Sequence, residues 1–375
     1  MGTIREGHIG YREAVALLAI MLITKVFLTC PSNISDLGGT AGWLVVLVYL
    51  LVAVVAVLPG LALLKRYPDR TLIEVAEEFG GAITGILVAL LLFGYFLLST
   101  VIIMRQFTET VIVALLPTTP ISLITVFFLL GMLYPCYQGI ESLTRGAWLL
   151  MPFFALGLFG VLALVLPWAN PDYLFPFWGP GLPAILKAGP MKSSMLGEIL
   201  LVTLLNPYLR DRQKVTAVVM SSLIISGLIF TLTVLVYQMV FPYPASGTEI
   251  TYPMYNLARL IYFGRFVQRV ESIFIFIWVF SLLVNVSALF YGTTVSLARG
   301  LNLPFYRPLL FPVAVLIYSL NFLILNFPTA AWLDAEVLHN YGWIIAFGLP
   351  ALVWLLAKLR DKGGGSHGIH PQNNG

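Results

Sequence analysis

Cysteine, histidine and charge are all scarce in this chain. Cys30 and Cys136 are the only cysteines among 375 residues, and both sit in apolar runs. Two cannot build a disulfide framework, so they read as packing residues. Of the four histidines, His367 and His370 lie in a Gly/Asn-rich tail with no cysteine or carboxylate beside them. That is a poor ligand set, and no metal or cofactor is expected. Catalytic signatures are missing as well. There is no HExxH, P-loop, GxSxG or carboxylate cluster, and the chain does not read as an enzyme. The first apolar segment has no small-residue cleavage site and continues as a long span, so it reads as retained rather than as a signal peptide. Charged residues are only 10% of the chain against 59% hydrophobic ones, which excludes an ordinary soluble domain. The basic residues come in twos and threes, which excludes nucleic-acid binding.

What the chain has instead is apolar runs of about 20 residues, the length that crosses a bilayer. Ten are expected, at roughly 11–34, 42–64, 82–104, 122–136, 147–167, 191–209, 215–241, 272–297, 309–327 and 341–359. They make a single all-α integral membrane domain over 1–362, with a disordered tail over 363–375. With the N-terminus inside, Lys and Arg concentrate on the cytoplasmic side, among them Lys65, Arg66, Arg70, Arg210, Arg212 and Lys214. Fewer lie outside: Arg105, Lys187, Lys192, Arg259, Arg265 and Arg269. That bias predicts both termini in the cytoplasm. Ten spans divide into repeats of five, about 11–167 and 191–359. Five is odd, so the second repeat is inverted and span 1 lies opposite span 6. The Pro-rich stretch 168–190 between them (Pro171, Pro176, Pro180, Pro183, Pro190) reads as an extended outer loop. Thr71 with Glu74 marks a capping box on a short amphipathic helix at the membrane surface. Leu257, Leu260 and Ile261 mark a second short interfacial helix.

Two charges stand inside apolar runs: Lys25 in span 1 and Glu198 in span 6. A charge at mid-depth costs several kcal/mol by order of magnitude and marks function. Both spans also carry helix breakers, Pro31 after Lys25 and Gly197 before Glu198. Broken helices near the midplane are where small-molecule transporters build substrate sites. Free N–H groups at the start of a half-helix suit a carboxylate ligand. The same residues also suit a proline kink and a structural ion pair between spans 1 and 6. Tyr95, Ser99, Ile102 and Gln106 form one stripe on span 3. Ser281, Asn285, Ala288 and Gly292 form one on span 8, with Ser287, Tyr291 and Thr294 on another. Such stripes serve either as pocket walls or as helix-packing glue. Glu141 and Arg145 read as an i,i+4 pair at a helix end.

Taken in order, residues 36–43 (DLGGTAGW), 116–120 (LPTTP), Gly139-Ile-Glu with Arg145, and Gly197-Glu198 resemble the spore germination permeases, the B subunits of nutrient germinant receptors. The resemblance covers about 5–360. That family belongs to the amino acid–polyamine–organocation superfamily, which implies a LeuT-like 5+5 inverted repeat with spans 1 and 6 broken. It also implies a germinant, often an amino acid, bound between spans 1, 3, 6 and 8. The site would comprise Thr24, Lys25, Leu28, Tyr95, Ser99, Gly197, Glu198, Asn285, Ser287 and Tyr291. Partners would be an A subunit and a lipoprotein C subunit in the spore inner membrane. Span 1 departs from amino-acid permeases in having Lys25 and no Gly-x-Gly. Besides a nutrient-sensing subunit, two other roles fit: a proton-coupled transporter of amino acids or amines, and a channel-forming subunit.

Overall fold

The computed structural model describes residues 7–247, 250–262 and 270–363. Among them there is no strand, only a single parallel bridge between Ile9 and Leu209. The helices in chain order are α1 (Tyr11–Ile23), α2 (Cys30–Gly38), α3 (Gly42–Ala56), α4 (Leu58–Arg66), α5 (Leu72–Gly80) and α6 (Ala82–Ala114). Next come α7 (Ile121–Gln138), α8 (Ile140–Leu164), α9 (Leu182–Met191), α10 (Val202–Leu205), α11 (Val215–Val240) and α12 (Pro253–Leu260). The last are α13 (Val270–Gly300), α14 (Arg307–Leu323), α15 (Phe327–Trp332), α16 (His339–Tyr341) and α17 (Leu349–Gly363). The tail expected to be disordered lies, from residue 364 on, outside the described residues, as do Arg5, Arg265 and Arg269.

Seven stretches among the described residues are long and apolar enough to cross a membrane. One of them, Cys30–Arg66, turns at Gly39, whose φ of +55° is open to glycine. The first and sixth apolar runs are in pieces, as their proline and glycine predict, and α14 is shorter at 17 residues. The outward-facing apolar side chains, such as Leu51, Leu149, Phe153 and Phe311, are the lipid-facing surface of this integral membrane protein.

Three expected boundaries need correction. The third span does not end near 104: α6 runs on to Ala114. In this extension Arg105 Nη2 meets Glu109 Oε1 at 2.7 Å and donates to the Leu325 carbonyl at 2.9 Å. Glu109 in turn accepts the Phe327 N–H at 2.6 Å. The final membrane stretch starts at Phe327 rather than 341 and includes Asp334, Glu336 and His339. The Pro-rich connection is not extended throughout, since Leu182–Met191 is a helix. Pro183 occupies its first turn, where no N–H is needed.

The capping box at Thr71 forms as expected: Thr71 N–H donates to Glu74 Oε2 at 2.8 Å, and Glu74 N–H donates to Thr71 Oγ1 at 3.4 Å. The helix it starts, however, buries Leu72, Ile73, Val75 and Ala76 against α6 and α17. In the second short helix, α12, Met254, Leu257 and Ala258 are buried. The Glu141–Arg145 pair forms, with Glu13 Oε1 4.0 Å from Arg145 Nε.

Candidate functional site

Proline sets the break in the first span. Its ring removes a donor and clashes with the preceding turn, so α1 stops at Ile23 and the chain tightens into a 3₁₀ turn over Thr24–Phe27. Leu28 leaves helical geometry at φ −92°, ψ −148°. The chain resumes as α2 with Pro31 in its first turn. Carbonyls of the last turn of α1 accept from side chains. Thr24 Oγ1 donates to the carbonyls of Ile20 and Met21, both at 2.9 Å. Asn285 Nδ2 on α13 donates to Met21 O at 3.0 Å and to Thr24 Oγ1 at 2.7 Å. An unwound backbone inside a membrane survives only with such partners.

The sixth span breaks differently. After α9 the chain forms a nine-residue 3₁₀ run, Ser193–Leu201, before α10. Runs beyond three or four residues are uncommon and mark strain or a hinge. The two breaks meet through charge. Lys25 Nζ lies 3.1 Å from Glu198 Oε1 and donates to the Met195 carbonyl at 3.0 Å. The two side chains are 2% and 0% exposed. Gly197 is crowded: a Cβ there would sit 2.6 Å from Tyr95 Oη and 2.9 Å from Ala346 Cβ. Gly197→Ala should therefore cost about 1–3 kcal/mol through overpacking. A lowered unfolding temperature of the purified protein checks this, and Tyr95→Phe in the same chain should restore part of it.

Thr24, Lys25, Gly197, Glu198, Asn285 and Tyr95 thus come together, with Leu28 buried in the same break. Ser99 also lies buried on α6, its hydroxyl donating to the Tyr95 carbonyl at 2.9 Å. Ser287 and Tyr291 are placed elsewhere. They stand roughly 200° and 240° round α13 from Asn285. The Ser287 carbonyl accepts from Cys136 Sγ at 3.1 Å on α7, and the Tyr291 ring packs edge-on against Tyr306 at 5.5 Å.

Several polar residues absent from the sequence-derived set join the region. Lys192, expected on the outer side, is 5% exposed and donates to Ala335 O at 2.9 Å and Asn340 Oδ1 at 2.7 Å. Ser194 Oγ donates to the His339 carbonyl. Asp334 and His339 are buried on the same distorted segment, which turns as a π-helix over Leu333–Leu338. Above these residues, at the pole opposite the chain's start, a cavity of about 430 Å³ opens. Asp36, Asn33, Lys192, Glu336 and Thr29 supply its polar lining; Phe327 and Trp332 supply part of its apolar wall. None of the residues predicted to bind ligand lines it. The Lys25–Glu198 pair is sealed from solvent and does not line it.

The chain's likeness to known proteins agrees with this architecture. The family model described as "Spore germination protein" matches residues 8–328. Spore germination protein B2 of Bacillus subtilis (strain 168) is 21% identical over 364 residues, covering 95% of this chain and 97% of that one. Spore germination protein KB of the same organism is 24% identical over 295 residues, 78% of each chain. A crystal structure of MhsT in complex with L-phenylalanine superposes with a TM-score of 0.61 at 13% identity, covering 92% of this chain and 88% of that one. The shared feature is the LeuT-like fold, with its inverted repeat and broken first and sixth helices.

Proposed function

This chain belongs to the spore germination protein family, and from that premise we propose that it is the membrane subunit of a nutrient germinant receptor. One membrane domain, built of two inverted repeats with both termini in the cytoplasm, sits in the spore inner membrane. It binds a small nutrient, an amino acid, at mid-depth and signals through A and lipoprotein C partner subunits. The observation that carries this reading is the meeting of two helix breaks at a sealed, oppositely charged pair, with Thr29 and Lys192, close along the chain to the two breaks, lining an open cavity.

The cavity volume of about 430 Å³ falls within the about 300–1,000 Å³ of small-molecule sites. Its walls offer both signs of charge, Lys192 against Asp36 and Glu336, as a zwitterion requires. A nutrient entering there would compete for the inner pair, its carboxylate drawing on Lys25 and its ammonium on Glu198. It shifts the helix arrangement only by its differential affinity for the open and sealed states. On opening toward the inner pair, Thr24, Leu28, Tyr95, Ser99, Gly197 and Asn285 would form the inner wall, and Ser287 and Tyr291 would act from behind it on α13.

A thermal-shift screen of the purified full-length chain against amino acids and sugars tests this. One amino acid should raise the unfolding temperature, by about 2.7 kcal/mol of stabilisation at a hundredfold excess over Kd. Glu198→Gln should remove that shift. A shift of unchanged size and affinity in Glu198→Gln would defeat the site assignment. The LeuT-like fold also favours a second reading, a proton-coupled amino acid or amine transporter. Uptake of labelled amino acid by proteoliposomes containing this chain alone would select it over the receptor.

A further inference from the structure

Cys30, Asp334 and His339 are far apart in sequence, yet their potential ligand atoms all lie within 4.8 Å of one another. All three residues are buried. Asp334 Oδ1 and His339 Nε2 are 3.4 Å apart, and neither histidine nitrogen has a hydrogen-bond partner. A buried imidazole with both nitrogens unsatisfied is costly, because each has lost its water without gaining a partner. The backbone is arranged to bring these groups together. Asp334 and His339 are five residues apart, which on a regular α-helix would separate their directions by roughly 140°. The π-helical turn over Leu333–Leu338, with its i to i+5 bonding, sets them one turn apart on one face. Cys30 reaches that face only because the first span is broken and α2 restarts there. Lys25 makes its short contacts with Glu198 and the Met195 carbonyl, at 3.1 and 3.0 Å, and forms no ion pair with Asp334.

We propose that Cys30, Asp334 and His339 form a three-ligand site for a divalent cation of the zinc class, with a fourth position for water or a ligand group. One sulfur, one imidazole nitrogen and one carboxylate oxygen suit a borderline-soft ion and disfavour magnesium or calcium. Zinc bonds of about 2.0–2.3 Å put tetrahedral ligands roughly 3.3–3.8 Å apart, so the three groups need close by only about an ångström. On binding, the Cys30 thiol gives its proton to water, and thiolate plus carboxylate balance the double charge of the ion. The route in is the cavity that Thr29 and Ala335, the chain neighbours of Cys30 and Asp334, help to line. The cation would tie the broken first span to the distorted last one.

Cobalt titration of the chelator-treated, purified full-length chain in micelles tests the site. One equivalent of Co²⁺ should bind with a near-ultraviolet thiolate-to-cobalt charge-transfer band, and Zn²⁺ should displace it while Mg²⁺ and Ca²⁺ should not. Cys30→Ser should abolish the band, and His339→Gln should weaken binding at least tenfold. Cys136→Ser and a His367→Ala/His370→Ala double variant should change neither. X-ray absorption of the zinc-loaded wild-type chain, which needs no variant to fold, should show one sulfur at about 2.3 Å with nitrogen and oxygen at about 2.0–2.2 Å. Absence of stoichiometric binding, a zinc shell without sulfur, a band that survives Cys30→Ser, or binding lost only with the tail histidines would each overturn the proposal.

Discussion

Replacing Lys25 by Met alone should destabilise the protein more than replacing Lys25 and Glu198 together. Both side chains are sealed from solvent; the 3.1 Å contact with Lys25 compensates Glu198 for desolvation, and Lys25 has the Met195 carbonyl besides. Lys25→Met leaves the Glu198 carboxylate buried without its cation. Removing one partner of a buried pair costs about 3–5 kcal/mol. Substituting both by apolar residues of similar volume is often neutral or stabilising. Lys25→Met/Glu198→Leu should therefore unfold within about 1 kcal/mol of wild type, with the single variants well below it. Thermal unfolding of the four proteins in micelles gives the coupling directly as a double-mutant cycle. The nutrient response separates structure from function. The double variant should be stable yet show no amino-acid-dependent shift. A stable double variant that keeps the full shift would make the pair a structural tie and nothing more.

How much of this was legible in the sequence depended on whether a residue's own segment looked like membrane. Lys25 and Glu198 stood out because they interrupt clean apolar runs beside Pro31 and Gly197, and the structure brings those two breaks together. Asn285 was legible as a polar residue on a small-residue stripe. Asp334 and His339 were not. Their acids and histidine make 333–340 look like a loop, and an apolar window opens only near Tyr341. The helix nevertheless runs from Phe327 because its start is held by Glu109 on α6, a contact between positions more than two hundred apart. The π turn is also invisible to patterns built on 3.6 residues. Recognising an ionisable residue within the span would have required knowing where the span begins. Ser287 and Tyr291 show the opposite error, since a stripe marks a face but not what that face meets. Lys192 counts as an outer-side cation at the start of the sixth apolar run. In the folded chain it ends α9 and is tied to Ala335 and Asn340.

The second large effect is expected at the opposite pole, where Glu74→Ala should loosen the closure beneath the site. Glu74 serves two structures at once. Its Oε2 accepts the Thr71 N–H in the capping box of α5, while its Oε1 pairs with Arg299 at the end of α13. Arg299 is 6% exposed and also donates from Nη2 to Tyr208 Oη at 3.2 Å, just past α10. Nearby, Asn206 Nδ2 donates to the Leu64 and Tyr67 carbonyls, both at 3.2 Å. The pole that carries the chain's start is therefore pinned by buried polar contacts, whereas the far pole holds the open cavity. The proposed response to a ligand by rearranging broken helices needs that asymmetry, because the sealed end would set the state from which a ligand shifts the balance. Glu74→Ala strands the Arg299 guanidinium, at a cost of about 3–5 kcal/mol. Adding Arg299→Met should recover most of it, leaving the loss of the Thr71 N–H bond of the capping box, about 0.5–1.5 kcal/mol. Hydrogen exchange should locate the effect: faster exchange over 72–80 and 202–209 in Glu74→Ala, with 30–38 near the cavity unchanged. Uniform acceleration across the chain would mean that the contact supports global stability alone and that the poles are not separately held.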